Sequence, residues 1–154
     1  MDKLACLLII LFAFSCTSPK DSSGNVAVEP APADLDDYLE SFESAILNHD
    51  SHALMSLLDK DYVKEQHDGF LNGRTAQFLK ELFCGGVVDK DAYQCLKFES
   101  IRTIQKLNVV KDGENGYRVY CLISNDKYAI KANWFIKVLP VGAGQKFGLV
   151  GAVG

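Results

Sequence analysis

Residues 117–139 read YRVYCLISNDKYAIKANWFIKVL. Two runs rich in β-branched and aromatic residues flank Asn125-Asp126, a pair suited to a turn. In the first run Tyr117, Val119, Cys121 and Ile123 alternate with Arg118, Tyr120, Leu122 and Ser124. In the second, Tyr128, Ile130, Ala132, Trp134, Ile136 and Val138 fall on one face, and Lys131, Asn133, Phe135 and Lys137 on the other. A period of two with one apolar face describes a half-buried antiparallel hairpin, a spine with the kind of face that the helical segments upstream need to cover.

The helical cover lies upstream. Leu35, Tyr38, Leu39, Phe42, Ala45 and Ile46 form one apolar stripe at helical spacing, with Asp34 as the expected N-cap and Asp36, Asp37 and Glu40 suited to the positive end of the helix dipole. Asn48-His49-Asp50 interrupts the pattern, and Asp50 is placed to cap a short helix carrying Ala53, Leu54, Leu57 and Leu58. A loop containing Gly69 and Gly73 is expected next. Thr75 then opens a third helix with Phe78, Leu79, Leu82 and Phe83 on one side, ended by Gly85-Gly86. Downstream, Phe98–Val110 favours a strand through its Ile, Val and Thr, residues 112–116 form a hairpin loop, and Lys146–Val153 reads as a last strand. Gly142, Gly144 and Gly148 look like a dinucleotide fingerprint, but no helix follows to receive a pyrophosphate. The expected fold class is therefore α+β, with N-terminal helices packed on a curved antiparallel sheet of about four strands.

Composition narrows the partners. The 154 residues are 48% hydrophobic, enough for one domain with a real core, and carry a formal net charge of -4 with no basic block. Specific nucleic-acid binding relies on a concentrated positive footprint, so a nucleic-acid partner is not expected.

The first residues read as an address. LACLLIILFAF at residues 4–14 follows Lys3 and is too short for an ordinary spanning helix, but it fits the apolar core of a secretory signal. It leads into Ala13-Phe14-Ser15-Cys16, which resembles the lipobox of bacterial lipoproteins. By that resemblance residues 1–15 are a signal peptide, Cys16 is lipidated, and the protein is held in the cell envelope by its lipid anchor. The expected site is the outer membrane of a Gram-negative bacterium, on its periplasmic or surface face. Phe14 and Ala13 depart from the usual pattern. TSPKDSSGNVAVEPAPA (17–33) is Ser-, Pro- and Ala-rich, reads as a tether reaching on the order of 20 Å, and places the folded domain at 34–154.

The order of three helices and then strands is similar to the cone-shaped fold shared by nuclear transport factor two and ketosteroid isomerase. Asn72-Gly73-Arg74 before the third helix looks like the approach found in many of its members. A cystatin-like sheet wrapped on one long helix is the nearest competitor. The first resemblance implies a helix-lined cone, in which ketosteroid isomerase uses an aspartate and a tyrosine. Asp61-Tyr62 and Tyr120 are present here, but no motif places them in such a pocket.

Among chemistry-bearing residues, Cys84 and Cys95 bound a polar connection of ten residues. In an exported chain they are the expected disulfide, while Cys121 lies in the apolar face of the spine as a small hydrophobe. His49, His52 and His67-Asp68 straddle a helix break and lack a third ligand at a known spacing, so no metal is expected. No cofactor motif and no catalytic constellation appears. Tyr120, Lys131 and Asn133, with Arg118 and Lys137, are the candidate ligand-facing row on the second face of the sheet. The sequence thus points to a non-catalytic binding or interaction module, with a small molecule or an envelope protein as partner. The alternative is a small isomerase- or hydrolase-like enzyme with a pocket inside the cone.

Overall fold

The computed structural model describes residues 32–154. The readings of residues 1–31, Cys16 among them, lie outside the described residues.

Helix α1 (Ala33–Leu47) buries the full stripe Leu35, Tyr38, Leu39, Phe42, Ala45 and Ile46. Its N-cap is Pro32, whose carbonyl accepts from Leu35 and Asp36, so Asp34 sits one step inside the first turn instead of capping it. There its carboxylate pairs with Lys146, which holds the Asp34 carboxyl below its ordinary value. The helix ends as His49 turns to φ 55° and Asp50 begins α2 (Ser51–Ser56) by accepting from the Ala53 amide at 2.9 Å.

The expected loop around Gly69 is helical. Asp59 caps α3 (Lys60–Tyr62) at the Tyr62 amide, and the chain continues as a π-helix through Val63–Phe70. The polar composition of this stretch hid it, because tertiary contacts order it: Tyr62 and His67 both pack on Phe78, with ring centroids at 5.6 and 5.4 Å. Asn72 and Gly73 then both take positive φ and reverse the chain into α4 (Thr75–Glu81).

The sheet has six strands rather than about four. Helix α4 stops before the glycines, and Cys84–Val87 is strand β1, paired with β2 (Tyr93–Cys95) and with the start of β5. A 3-10 turn at Phe98–Ser100 precedes β3 (Thr103–Lys111), so the expected strand from Phe98 begins five residues later. Then come β4 (Gly116–Ser124), β5 (Ala129–Val138) and β6 (Phe147–Val153). All strand pairs are antiparallel and the sheet is open, in the order β2-β1-β5-β4-β3, with β6 also on β5. Strands β6 and β1 share one edge of β5, β6 along Asn133–Val138 and β1 along Ile130–Lys131.

The spine is as the alternation requires. Residues 125–128 close it, with the Asn125 side chain accepting from the amides of Lys127 and Tyr128. Val119, Cys121, Ile123, Ile130, Ala132, Trp134 and Ile136 are buried under the helices. Trp134 is the centre of that layer, T-shaped with Phe42 at 5.0 Å between ring centroids, with its indole N–H donating to the Leu82 carbonyl at 3.2 Å.

Candidate functional site

Covering one face of the hairpin turns the other toward solvent, and register decides which residues meet there. Tyr120 lies opposite Asn133, Leu122 opposite Lys131 and Arg118 opposite Phe135. Because side chains of paired residues share a face, the row Tyr120, Lys131 and Asn133 is contiguous and lies on the side of the sheet away from the helices. Lys131 is exposed, and Tyr120 and Asn133 are half-buried. Arg118 stacks over Phe135, 4.9 Å from the ring centroid, while donating to Asp112 at 2.9 Å. Asp112, and after it Tyr120, hold the guanidinium above its ordinary value. The result is an aromatic surface with one cation, Arg118, held over Phe135 by Asp112, and a second, Lys131, exposed beside it and able to pair with an anionic group.

Two neighbours of this row were not legible in the sequence. Gly86 pairs with both Lys131 and Tyr93, so Tyr93, 58% exposed, extends the row beyond Lys131. Val153, also exposed, pairs with Asn133 at the other side. Both depend on pairings between distant segments, for which no local signal exists.

Cys84 and Cys95 are directly opposed on β1 and β2 and joined by a disulfide, and Cys121 is a buried free thiol that donates to the Ala132 carbonyl. Burial pushes the Cys121 thiol well above its ordinary value, so it stays protonated. Cys95 also lines a cleft of about 650 Å³ beside α4, with Gln77, Lys80, Glu81 and Phe98. Asp61 is exposed and Tyr62 packs in the helical layer, so neither approaches Tyr120 across the sheet. His49 meets the Ile101 carbonyl at 3.1 Å and the edge of Phe98, and His52 is exposed.

His67 has the most organised polar contacts. Its Nδ1 lies 2.6 Å from Asp68 and its Nε2 2.9 Å from the Thr75 hydroxyl. The distances resemble a carboxylate–imidazole–hydroxyl relay, but the ring is packed against Phe78, and the Gly73 amide donates to the His67 carbonyl at 2.7 Å. The arrangement fastens the π-helix to the start of α4, a structural role sufficient to account for every contact. Among the described residues no three His, Cys, Asp or Glu side chains are grouped to hold an ion. No helix among them is long and apolar enough to cross a membrane.

The disulfide has a measurable consequence. Cys84→Ser and Cys95→Ser are each expected to cost about 2–3 kcal/mol, from the closed-loop entropy of a bond with a sequence separation of 11. The double variant should cost little more than either single one, because both remove the same bond. Urea melts of the three variants check this, and additive losses would refute it.

Comparison with protein-family models, with curated proteins and with solved structures found no match to this chain.

Proposed function

We propose that this chain is a lipid-anchored envelope protein whose domain, similar to the cone-shaped fold, binds a protein partner without catalysis. The observation that carries this reading is how the two faces of the sheet are used. Trp134, Phe42, Phe78 and Phe83 are fully buried between the helices and the sheet, filling the space in which an interior pocket would lie. The face left to solvent carries Tyr93, Tyr120, Lys131, Asn133 and the Arg118–Phe135 stack. Aromatic and Arg side chains on an open surface suit a protein partner, since such residues dominate protein interfaces. A filled interior supports binding over the isomerase- or hydrolase-like alternative. Anchoring at Cys16 and tethering through residues 17–33 would bring that face within reach of other envelope proteins.

One experiment on living cells tests both parts. The full chain with a photo-crosslinking residue at Lys131 or Asn133 should partition into the detergent phase and form a discrete adduct on irradiation. The same residue at Lys64, exposed on the π-helix, should form none. Cys16→Ser should shift the chain to the aqueous phase. An unmodified Cys16 in the intact mass overturns the anchor, and adducts equal at Lys64 and Lys131 overturn the binding face.

A further inference from the structure

We propose that the loop between β5 and β6 is a second, apolar contact with the bilayer that holds the anchor, a zwitterionic phospholipid surface; this rests on the anchored reading above. The loop is Leu139-Pro140-Val141-Gly142-Ala143-Gly144-Gln145-Lys146. It is shaped, not slack. Val138 pairs with Phe147 at its base, and the Leu139 amide donates to the Lys146 carbonyl at 2.7 Å. At its tip the Ala143 amide donates to Pro140 at 3.1 Å around Gly142, which has φ 96°. A positive φ at the third position of such a turn is what glycine permits. The turn thrusts Val141 outward until it is 108% exposed, beside exposed Pro140 and half-buried Leu139.

A single exposed valine is ordinary in a soluble protein. Its location is what gives this one meaning. Lys146 pairs with Asp34, and Phe147 stacks on Tyr38 at 5.8 Å, so the loop is fastened to the first two turns of α1. The tether enters the domain there, at Ala33. In that anchored reading residues 17–33, by their composition, would keep that end on the order of 20 Å from Cys16. On the anchored reading, an apolar tip at the tethered end would be the part of the domain brought nearest the membrane, whereas the turn at residues 125–128 lies at the other end of β5.

Charge selects the kind of surface. The Val138 amide donates to Asn115, which places the β3–β4 turn with Asp112 and Glu114 at the same end. Lys146 is paired with Asp34, and Arg118 with Asp112. Lys111 and Lys137, exposed at this same end, are matched in number by Glu114 and Asp37, so the rim lacks the basic excess that draws a protein to strongly anionic lipid. Insertion of the tip by apolar burial, into phosphatidylcholine- or phosphatidylethanolamine-type headgroups, fits these charges.

The test uses the full acylated chain floated with phosphatidylcholine vesicles. An environment-sensitive fluorophore is attached after Val141→Cys, or after Lys127→Cys at the opposite end, where Lys127 is exposed. The expected result is co-flotation, blue-shifted emission at 141 that is quenched by lipid-borne quenchers, and aqueous emission at 127. Co-flotation with aqueous emission at 141 overturns the loop contact and leaves the anchor standing. Equal shifts at 141 and 127 also overturn it, because the domain would then lie unoriented on the lipid. Failure of the unlabelled chain to float overturns the anchor and this contact with it.

Discussion

Trp134→Ala is expected to remove about 3–5 kcal/mol of folding stability, the range for truncating a large aromatic side chain in a core. The ring is fully buried at the middle of β5, and Phe42 packs against it from α1 in a T-shaped arrangement. Truncation would open a void that helix and sheet, fixed by the rest of the core, can only partly close. It also strips the Leu82 carbonyl, at the end of α4, of its indole donor. Against a total stability of about 5–15 kcal/mol for an ordinary domain, such a loss leaves a marginal fold. Trp134→Phe separates the two effects. It keeps most of the apolar volume and loses the hydrogen bond, so its cost should be nearer 1–2 kcal/mol, a rough figure for a lost buried donor plus a small void. Urea melts followed by far-ultraviolet dichroism measure both. Equal losses from the two substitutions would mean that the indole N–H, and not packing, makes Trp134 matter.

Gly85→Ala is the second large effect, expected near 3 kcal/mol, at the upper end of overpacking penalties. An ideal Cβ at Gly85 would overlap the carbonyl oxygen of Lys131 and come within 2.8 Å of its carbon. Both are backbone atoms of the central strand, so no rotamer change relieves the clash. A Cβ built on Gly154 would likewise overlap the Gly85 backbone, so the two glycines approach each other closely. The adjacent glycine is the control. A Cβ at Gly86 meets nothing within 4 Å, so Gly86→Ala should stay within about 0.5 kcal/mol of the parent. If the two alanine variants melt alike, the close approach of β1 to β5 is wrong, and the glycines would matter only as helix terminators.

That contrast also shows where reading the sequence stops. Gly85-Gly86 after an apolar helical stripe carries the same local signal whether it ends a helix or begins a short strand. The strand exists because Val87 and Gly86 find Ile130 and Lys131, more than 40 residues away along the chain. The π-helix at Val63–Phe70 has no local signature for a related reason. Its residues are polar, and its order comes from Tyr62 and His67 reaching Phe78. The disulfide was legible because two cysteines around a short polar connection need little more than proximity, and antiparallel pairing of β1 with β2 supplies it.

For the candidate site, the sequence determined the faces. Alternation along Tyr117–Leu139 put Trp134 and Cys121 on one side and Tyr120, Lys131 and Asn133 on the other, because a half-buried strand must repeat every two residues. It also determined the helix α1 stripe and the α+β order, since both follow from local periodicity. Only the tertiary structure decided neighbours: Tyr120 opposite Asn133, Arg118 over Phe135, Tyr93 beyond Lys131, and Lys146 against Asp34. The reason is physical. Periodicity is written within one segment, whereas register and contact are settled by the joint burial of segments far apart in the chain.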